Sequence, residues 1–559
     1  MGAGSGSLLS LIHPALPPPP SLPRRGRGKD IVLTVVLWLA VLLCSGLPLL
    51  WLAGCVIRNP TAMTATLWDR WTLRLFLKTI FLGASAGGIA TLLAIPPALL
   101  FGGRSRLSTW LLPLLPFNVL LPSIVLSYGW GAVLSQLNLF PFPQSAWDHV
   151  RCVWALSTWL WPIPCGVLAL ALRGTPRDLL DQARLDGAVG RIVARRLLAP
   201  LLGGFLLATM LAMQEFAVFE PTGISVLATE VRMVFETGAF SSPTNPIVQL
   251  QGGMAAVGDL PDQARRAAVA LGAGLPAIVS IVVLLAAGLH FTRQATEPVL
   301  DTSALDRARL RLGGAGIAAI LAMLLSVLVP IIGMGFALKK PFDPFEMYRE
   351  FAPQLNWSFA LAAAAGGAVF VLSLLMSVRS SRFLLWLTVA SFLMGGQYLA
   401  IALLRLFDAD PIWLGDFTPM RLLLETNIVV VIAFVARFGW IAMLAGELTH
   451  RGVYKPLREM AAVEGAGPIA TAWYVVLPQA WPSLLAAAVL VATLSLTEVP
   501  ASALLTPPSI VPMMLTWVHM QMYGPMIEAS LAMTCVILVA TCLVVLLVRL
   551  GVRTKALEH

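Results

Sequence analysis

Glu215 and Glu498 stand near the ends of two strongly apolar stretches, at matching places in the two halves of a 559-residue chain. An ionisable group inside an apolar span is expensive, and by default it marks a path, a gate or a coupling group. Two readings stay open from the residues alone. One is a polar lining or gate near the outer mouth of a translocation path. The other is a carboxylate at a helix end, held by backbone N–H groups or by an arginine. Arg405 and Arg437 lie in or near neighbouring apolar stretches and read as partners in structural ion pairs. Glu220, Glu230 and Glu236 fall in or beside a long polar loop, 222–266, and read as a solvated face.

A second set of acidic residues lies in two polar loops. One holds Asp181-Gln182-Ala183-Arg184-Leu185-Asp186-Gly187, the other Glu459-Met460-Ala461-Ala462-Val463-Glu464-Gly465, and Pro200 or Pro478 follows each glycine at the same distance. Small residues keep one face of a short helix low enough to enter a socket. The glycine permits a tight turn or a close backbone approach, and a proline suits the first turn of the next helix. Flanking charges (Arg173, Arg191, Arg195 and Arg196 around one, His450, Arg451 and Lys455 around the other) hold both loops in water. A short helix of this kind, presented twice, is a docking element for a partner.

Enzyme chemistry is not written into the chain. There is no Gly-rich phosphate loop, so ATP hydrolysis is not expected here, and the six histidines are scattered without paired ligand spacing. Cys44, Cys55, Cys152, Cys165, Cys535 and Cys542 sit in or at the edges of apolar stretches and read as packing residues, not as metal ligands. No catalytic residue, metal site or bound cofactor is expected of this chain.

The elements that must position these groups are membrane spans. Hydrophobic residues make up 58% of the chain and charged ones 12%, against about 25% charged in a soluble domain. Twelve stretches are long enough to cross a bilayer, near 31–57, 72–101, 108–136, 151–172, 198–221, 267–291, 313–338, 355–378, 383–407, 425–449, 479–500 and 526–548. The net charge of +10 follows the positive-inside rule rather than nucleic-acid binding: most Lys and Arg fall on one side, including Arg24, Arg25, Arg27, Lys29, Arg104, Arg106, Arg549, Arg553 and Lys555. Asp408, Asp410 and Asp416 fall on the other. Both termini are therefore expected to be cytoplasmic. Leu52-Ala53-Gly54-Cys55 imitates a lipoprotein cleavage site, but the preceding apolar run is too long for a signal peptide.

The loop motif, Ala86-Gly87-Gly88 with Ala365-Gly366-Gly367, and Glu215 with Glu498 all recur about half a chain apart. The expected fold is an all-α polytopic membrane protein, with about 12 transmembrane helices arranged as two parallel six-helix repeats. Its parts are a disordered tail (1–30), a first transmembrane domain (31–291), a cytoplasmic linker (292–312), a second transmembrane domain (313–550) and a short tail (551–559).

Glu-Ala-Ala, then Gly, then Ile-x-Leu-Pro is the signature of ABC importer permeases. The second loop resembles it through Glu459, Ala461, Gly465, Leu477 and Pro478, with Val475 in place of Ile. The first keeps Ala183, Gly187 and Pro200 but carries Asp181 for Glu, Gln182 for Ala and Ala199 for Leu. The resemblance implies that the loops, Asp186 and Glu464 included, form coupling helices on two copies of an ATP-binding subunit, which would hold ATP and Mg. It further implies an extracytoplasmic substrate-binding protein, with loops 222–266 and 501–525 as its contacts, and a bacterial inner membrane. Fused permeases of this length resemble ferric-iron importers most, with thiamine, polyamine and phosphonate importers as relatives. The competing class is a secondary transporter driven by an ion gradient, which calls for coupling carboxylates near mid-bilayer. A membrane-embedded transferase would need an acidic or His cluster at one interface, and the scatter of such residues argues against it.

Overall fold

The computed structural model describes residues 27–102, 111–137, 144–174, 185–187, 189–237, 263–295, 313–338, 341–408, 426–451, 455–513 and 524–557. Every regular element among them is a helix. Ten helices are long and apolar enough to cross a bilayer: Val32–Arg58, Arg70–Gly102, Ala146–Arg173, Ala194–Met213, Arg265–Arg293, Gly316–Ala337, Pro344–Val378, Ile428–His450, Thr471–Leu496 and Met526–Gly551. Two bent pairs add up to two more, Leu114–Leu120 with Ser123–Leu134 at 92° and Arg382–Met394 with Gly396–Phe407 at 101°. They fall on the stretches 108–136 and 383–407, which the sequence reads as unbroken spans. Leu39, Phe81, Leu92, Leu321, Phe383 and Val539 point outward, a surface that belongs in lipid. The chain is a multi-pass helical membrane protein.

Side-chain contacts decide whether each bent pair carries the chain across. Ser157 Oγ donates to Ala86 O at 3.2 Å, and Arg173 NH2 donates to Phe101 O at 2.8 Å. Arg70–Gly102 and Ala146–Arg173 therefore run the same way, and the intervening pair must take the chain from one end of the bundle to the other. In the second half Leu361 and Ala365 pack with Val430 and Phe434, while His450 Nδ1 lies 2.8 Å from Ser377 O. The same conclusion holds there, so among the described residues ten long helices and the two bent pairs each lead from one end of the bundle to the other. We number the spans accordingly, with the bent pairs third and ninth.

The fifth span runs against the second, with Gly83 beside Met213 and Gly87 beside Phe205. The sixth runs against the fifth, with Gly203 beside Thr292. The first span starts with Leu37 and Val41 on Met376 and Leu384 and ends with Leu52 and Cys55 on Ala267 and Ala270. It thus joins the end where the eighth span stops to the end where the sixth begins, which places both acidic loops at one end. Gly551 beside Pro482 and Ser483 brings the C-terminal span back toward that end. Single cysteines at Asp186 and Glu464 should therefore react with an impermeant maleimide from the same side of a vesicle. Ten crossings would put them on opposite sides.

The halves exchange elements. The first span packs on the eighth, ninth and tenth. The seventh packs on the second and third, and its Ser326 accepts from Trp161 Nε1 of the fourth at 2.9 Å. The ninth pair rests on the sixth span through Tyr398, Ile401 and Ala402, and the third pair rests on the twelfth through Leu120, Ile124, Ile527 and Met533.

Each Ala-Gly-Gly motif lets two backbones close up. A Cβ at Gly87 would meet Thr209 N at 2.9 Å and Phe205 O at 3.2 Å, and one at Gly366 would meet Ala488 O at 2.9 Å and Ala492 Cβ at 3.0 Å. The next glycine in each motif is open: Gly88 meets only Phe205 Cε2 at 3.9 Å, and Gly367 meets nothing. Gly87→Ala and Gly366→Ala should each destabilise by about 1–3 kcal/mol through overpacking. Gly88→Ala and Gly367→Ala should be neutral or mildly stabilising in thermal denaturation of the detergent-purified chain.

Pro200 and Pro478 do not open their spans as expected. Pro200 lies inside Val189–Met213, and Pro478 follows a wide π-type turn, Thr471–Val476, that already belongs to the span. A second such turn, Leu42–Gly46, runs up to Pro48. A proline ring clashes with the carbonyl one turn back and offers no N–H, and widening that turn relieves both problems.

Candidate functional site

Glu215 and Glu498 come together between the halves. The fifth span stops at Met213 and the eleventh at Leu496, so both carboxylates lie just past helix ends. Those ends are inside the bundle, because Arg437 beside them is the tenth residue of Ile428–His450. The expected place, near the outer mouth, is therefore corrected to mid-bundle.

Each carboxylate faces a helix break. Glu215 accepts from Ser123 Oγ at 2.8 Å and from Ala217 N at 2.9 Å, and Ser123 opens the second arm of the third pair. Glu498 abuts Gly396, which opens the second arm of the ninth, and the Ala501 N–H donates to it. A helix start carries unpaired N–H groups and the positive end of the dipole, so an acidic partner suits both positions. The breaks have different causes. Leu121 is extended (φ −63°, ψ 138°) ahead of Pro122, as a residue before proline should be. Gly395 stands at φ 89°, ψ 154°, a region open essentially to glycine alone.

The fourth and tenth spans hold the broken arms. Trp159 Nε1 donates to Val119 O at 3.2 Å and Leu121 O at 3.1 Å, while Asn118 Nδ2 donates to Thr158 O at 2.6 Å and Trp159 O at 2.9 Å. At the corresponding place Arg437 NH1 donates to Phe392 O at 2.6 Å, its NH2 donates to Gln214 Oε1 at 3.1 Å, and its guanidinium lies over the Phe392 ring at 4.8 Å. Trp159 satisfies carbonyls freed where the first arm ends, and Arg437 adds a second donor to Phe392 O, which also accepts from Gly395 N at 3.2 Å. Arg437 Nε stands 4.0 Å from Glu498 Oε1, beyond hydrogen-bond range. Neither atom has another partner, nor do Gln214 Nε2 and Gln397 Nε2. Those two glutamines line a cleft of about 50 Å³ with Gly395, Gly396, Tyr398 and Pro500, room for one or two waters.

The centre holds two carboxylates and one guanidinium. In a dry core such a set binds a cationic group or moves with a change in charge, and two helix breaks give it a joint at which to move. Ser123, Trp159, Gln214 and Gln397 were not singled out in the sequence; Pro122 and Gly395-Gly396 within apolar runs were the signal available. Arg405 is elsewhere, its guanidinium over the Phe235 ring at 5.4 Å.

Glu230 is corrected from a solvated face to a buried group, 2% exposed on Leu227–Thr237, a helix that packs on the sixth span. Glu220 pairs with Arg232 at 3.4 Å. All six cysteines are free, with Cys535 and Cys542 exposed on the twelfth span. Among the described residues no group of three or more His, Cys, Asp or Glu is placed to hold a metal.

The two acidic loops match where they are described. Leu185, Asp186 and Gly187 form an exposed turn, with Leu185 88% exposed and Gly187 at φ +62°. Val463, Glu464 and Gly465 repeat it, with Val463 73% exposed and Gly465 at φ +78°. The helix Lys455–Val463 leads into the second turn, carrying exposed Glu459 and burying Ala461. Asp181 and Ala183 lie outside the described residues.

Fold and centre together define a polytopic helical membrane protein whose broken third and ninth spans meet at buried charges. Comparison with protein-family models, with curated proteins and with solved structures finds no match to this chain.

Proposed function

We propose that the chain is the membrane-spanning permease of an ATP-driven (ABC) importer, two parallel six-span halves fused in one polypeptide. The observation that carries this reading is the pair of matched turns at one end of the bundle. Each offers an exposed apolar residue, an acidic residue and a left-handed glycine, and the second also exposes Leu457 and Met460 on its short helix. Two like surfaces on one side suit two copies of one partner, and the exchange of first and seventh spans between the halves supports the repeat. In this reading the loop end is cytoplasmic in a bacterial inner membrane, the partners are ATP-binding subunits that hold ATP and Mg, and a binding protein delivers solute at the far end. Ferric iron is the first cargo to assay, then thiamine, polyamine and phosphonate.

The test is gentle purification of the tagged chain from its native membrane with mass spectrometry of what accompanies it. A P-loop ATPase at two copies per chain is the expected result. Gly187→Val with Gly465→Val, each straining a left-handed turn by about 1–2 kcal/mol, should abolish that recovery and stop uptake while the chain still inserts. Unchanged docking and uptake would overturn the reading. The buried Glu215, Arg437 and Glu498 favour a second reading, a secondary transporter coupled to an ion gradient. Uptake that collapses with the gradient, with no ATPase recovered, selects it.

A further inference from the structure

A pocket of about 480 Å³ opens at the end of the bundle opposite the acidic loops. Trp71, Arg74 and Lys78 line it from the start of the second span, on one helical face. Asp148 and His149 line it from the start of the fourth, and the turn Thr222–Ser225 closes it. We propose that this pocket binds a phosphate-bearing group, independently of the transport reading above.

Two cations turned to one cavity carry the inference. Among the described residues Arg74 and Lys78 make no hydrogen bond or ion pair, although Lys78 is half-buried. Of the carboxylates nearby, Asp148 pairs with Arg151 at 3.3 Å, while Glu230, buried on its own helix, lies in electrostatic reach of Lys78 and offsets part of one of the two positive charges. Long basic side chains near span ends commonly snorkel to the lipid headgroups, but here the lipid-facing stripe of the same helix is Leu73, Leu77 and Phe81. Arg74 and Lys78 occupy the adjoining stripe, on the pocket. Helix packing does not call for charge there either. At the spacing that relates Ala86 to Ala365, the two residues fall on Pro353 and Trp357. A forked guanidinium, an ammonium and an indole edge around a cavity of this size suit a phosphate with an attached small group.

A free phosphate compound and a lipid headgroup share that chemistry, so the experiment has two arms. Full-length chain in phosphatidylcholine nanodiscs is titrated with inorganic phosphate by calorimetry. Chain from nanodiscs containing phosphatidylglycerol is examined by native mass spectrometry for lipid that survives delipidation. Saturable phosphate binding identifies a soluble ligand, and about one retained phosphatidylglycerol per chain identifies a lipid; either supports the site. Lys78→Ala should weaken the signal about tenfold or more, the worth of one charge-assisted contact, and Lys78→Arg should keep it. Arg74→Ala, at an exposed position, is the second variant should Lys78→Ala fail to elute as a single species. Failure of both arms, or binding unchanged in Arg74→Ala and Lys78→Ala, would overturn the proposal.

Discussion

Arg437→Met should cost the folded chain about 3–5 kcal/mol, the penalty for leaving buried carboxylates without their cation. Methionine fills much of the same volume and leaves no new polar atom, so the loss reports charge and hydrogen bonding more than a cavity. Gln214 Oε1 loses its donor, Phe392 O keeps only the Gly395 N–H at 3.2 Å, and Glu498 loses its compensating charge. The drop should be read as a fall in melting temperature of the detergent-purified protein, with the share recovered from membranes as a second measure. Glu498→Gln is the diagnostic partner. Glu498 Oε1 accepts no hydrogen bond from Arg437, so neutralising it alone should cost less. In the Arg437→Met background it should restore a large part of the loss, a coupling that double-mutant cycles resolve for neighbouring groups. An Arg437→Met chain as stable as the parent would mean that the centre is not an ionised cluster.

The same substitution bears on movement between the halves. Gln214 belongs to the first half and Arg437 to the second, and their 3.1 Å contact crosses the interface beside both breaks. The Tyr398 hydroxyl crosses it too, donating to Ala270 O at 2.9 Å. A bundle that rearranges must exchange these bonds for others at little net cost, which polar groups at an interface allow and a sealed apolar seam does not.

The apolar spans are legible in the sequence because they rest on sums over many residues. Long apolar runs and the paired Ala-Gly-Gly motifs survive any uncertainty of a turn, and each motif places its first glycine against the span that follows its acidic loop. The matched turns are legible too, since Gly187 and Gly465 must stand where a left-handed conformation is needed. The bends are not. Pro122 and Gly395 sit in runs apolar enough to be read as unbroken spans, and hydropathy carries no direction. Depth is lost for the same reason. Glu215 and Glu498 look like outer-end residues because apolar sequence stops near them, whereas the fifth and eleventh spans end inside the bundle and rest on broken arms. Glu230 shows the converse: a polar neighbourhood in sequence says nothing about a short helix that folds back onto the sixth span.

Gly395→Ala should destabilise by about 1–3 kcal/mol from backbone strain alone, and by more once its consequences are counted. Space is not the obstacle, since the nearest atom to a Cβ there is Arg437 NH1 at 3.9 Å. The backbone at φ 89°, ψ 154° is the obstacle, because no side-chain-bearing residue holds it cheaply. The chain can escape by straightening the ninth pair, but a continued helix would replace the Gly395 N–H on Phe392 O by one a full turn on and turn that carbonyl into the helix, away from Arg437. It would also withdraw the Gly396 helix start from Glu498. Strain and loss of the central contacts are therefore alternatives that end in the same fall in melting temperature. Pro122→Ala is the control at the other break. Leu121 occupies an ordinary extended conformation, which any residue adopts, and Asn118 and Trp159 hold that break with side chains. Its cost should be about 1 kcal/mol or less, mainly the lost rigidity of proline in the unfolded chain. Equal losses from the two substitutions would show that the ninth-span break is held by its surroundings and not by the glycine.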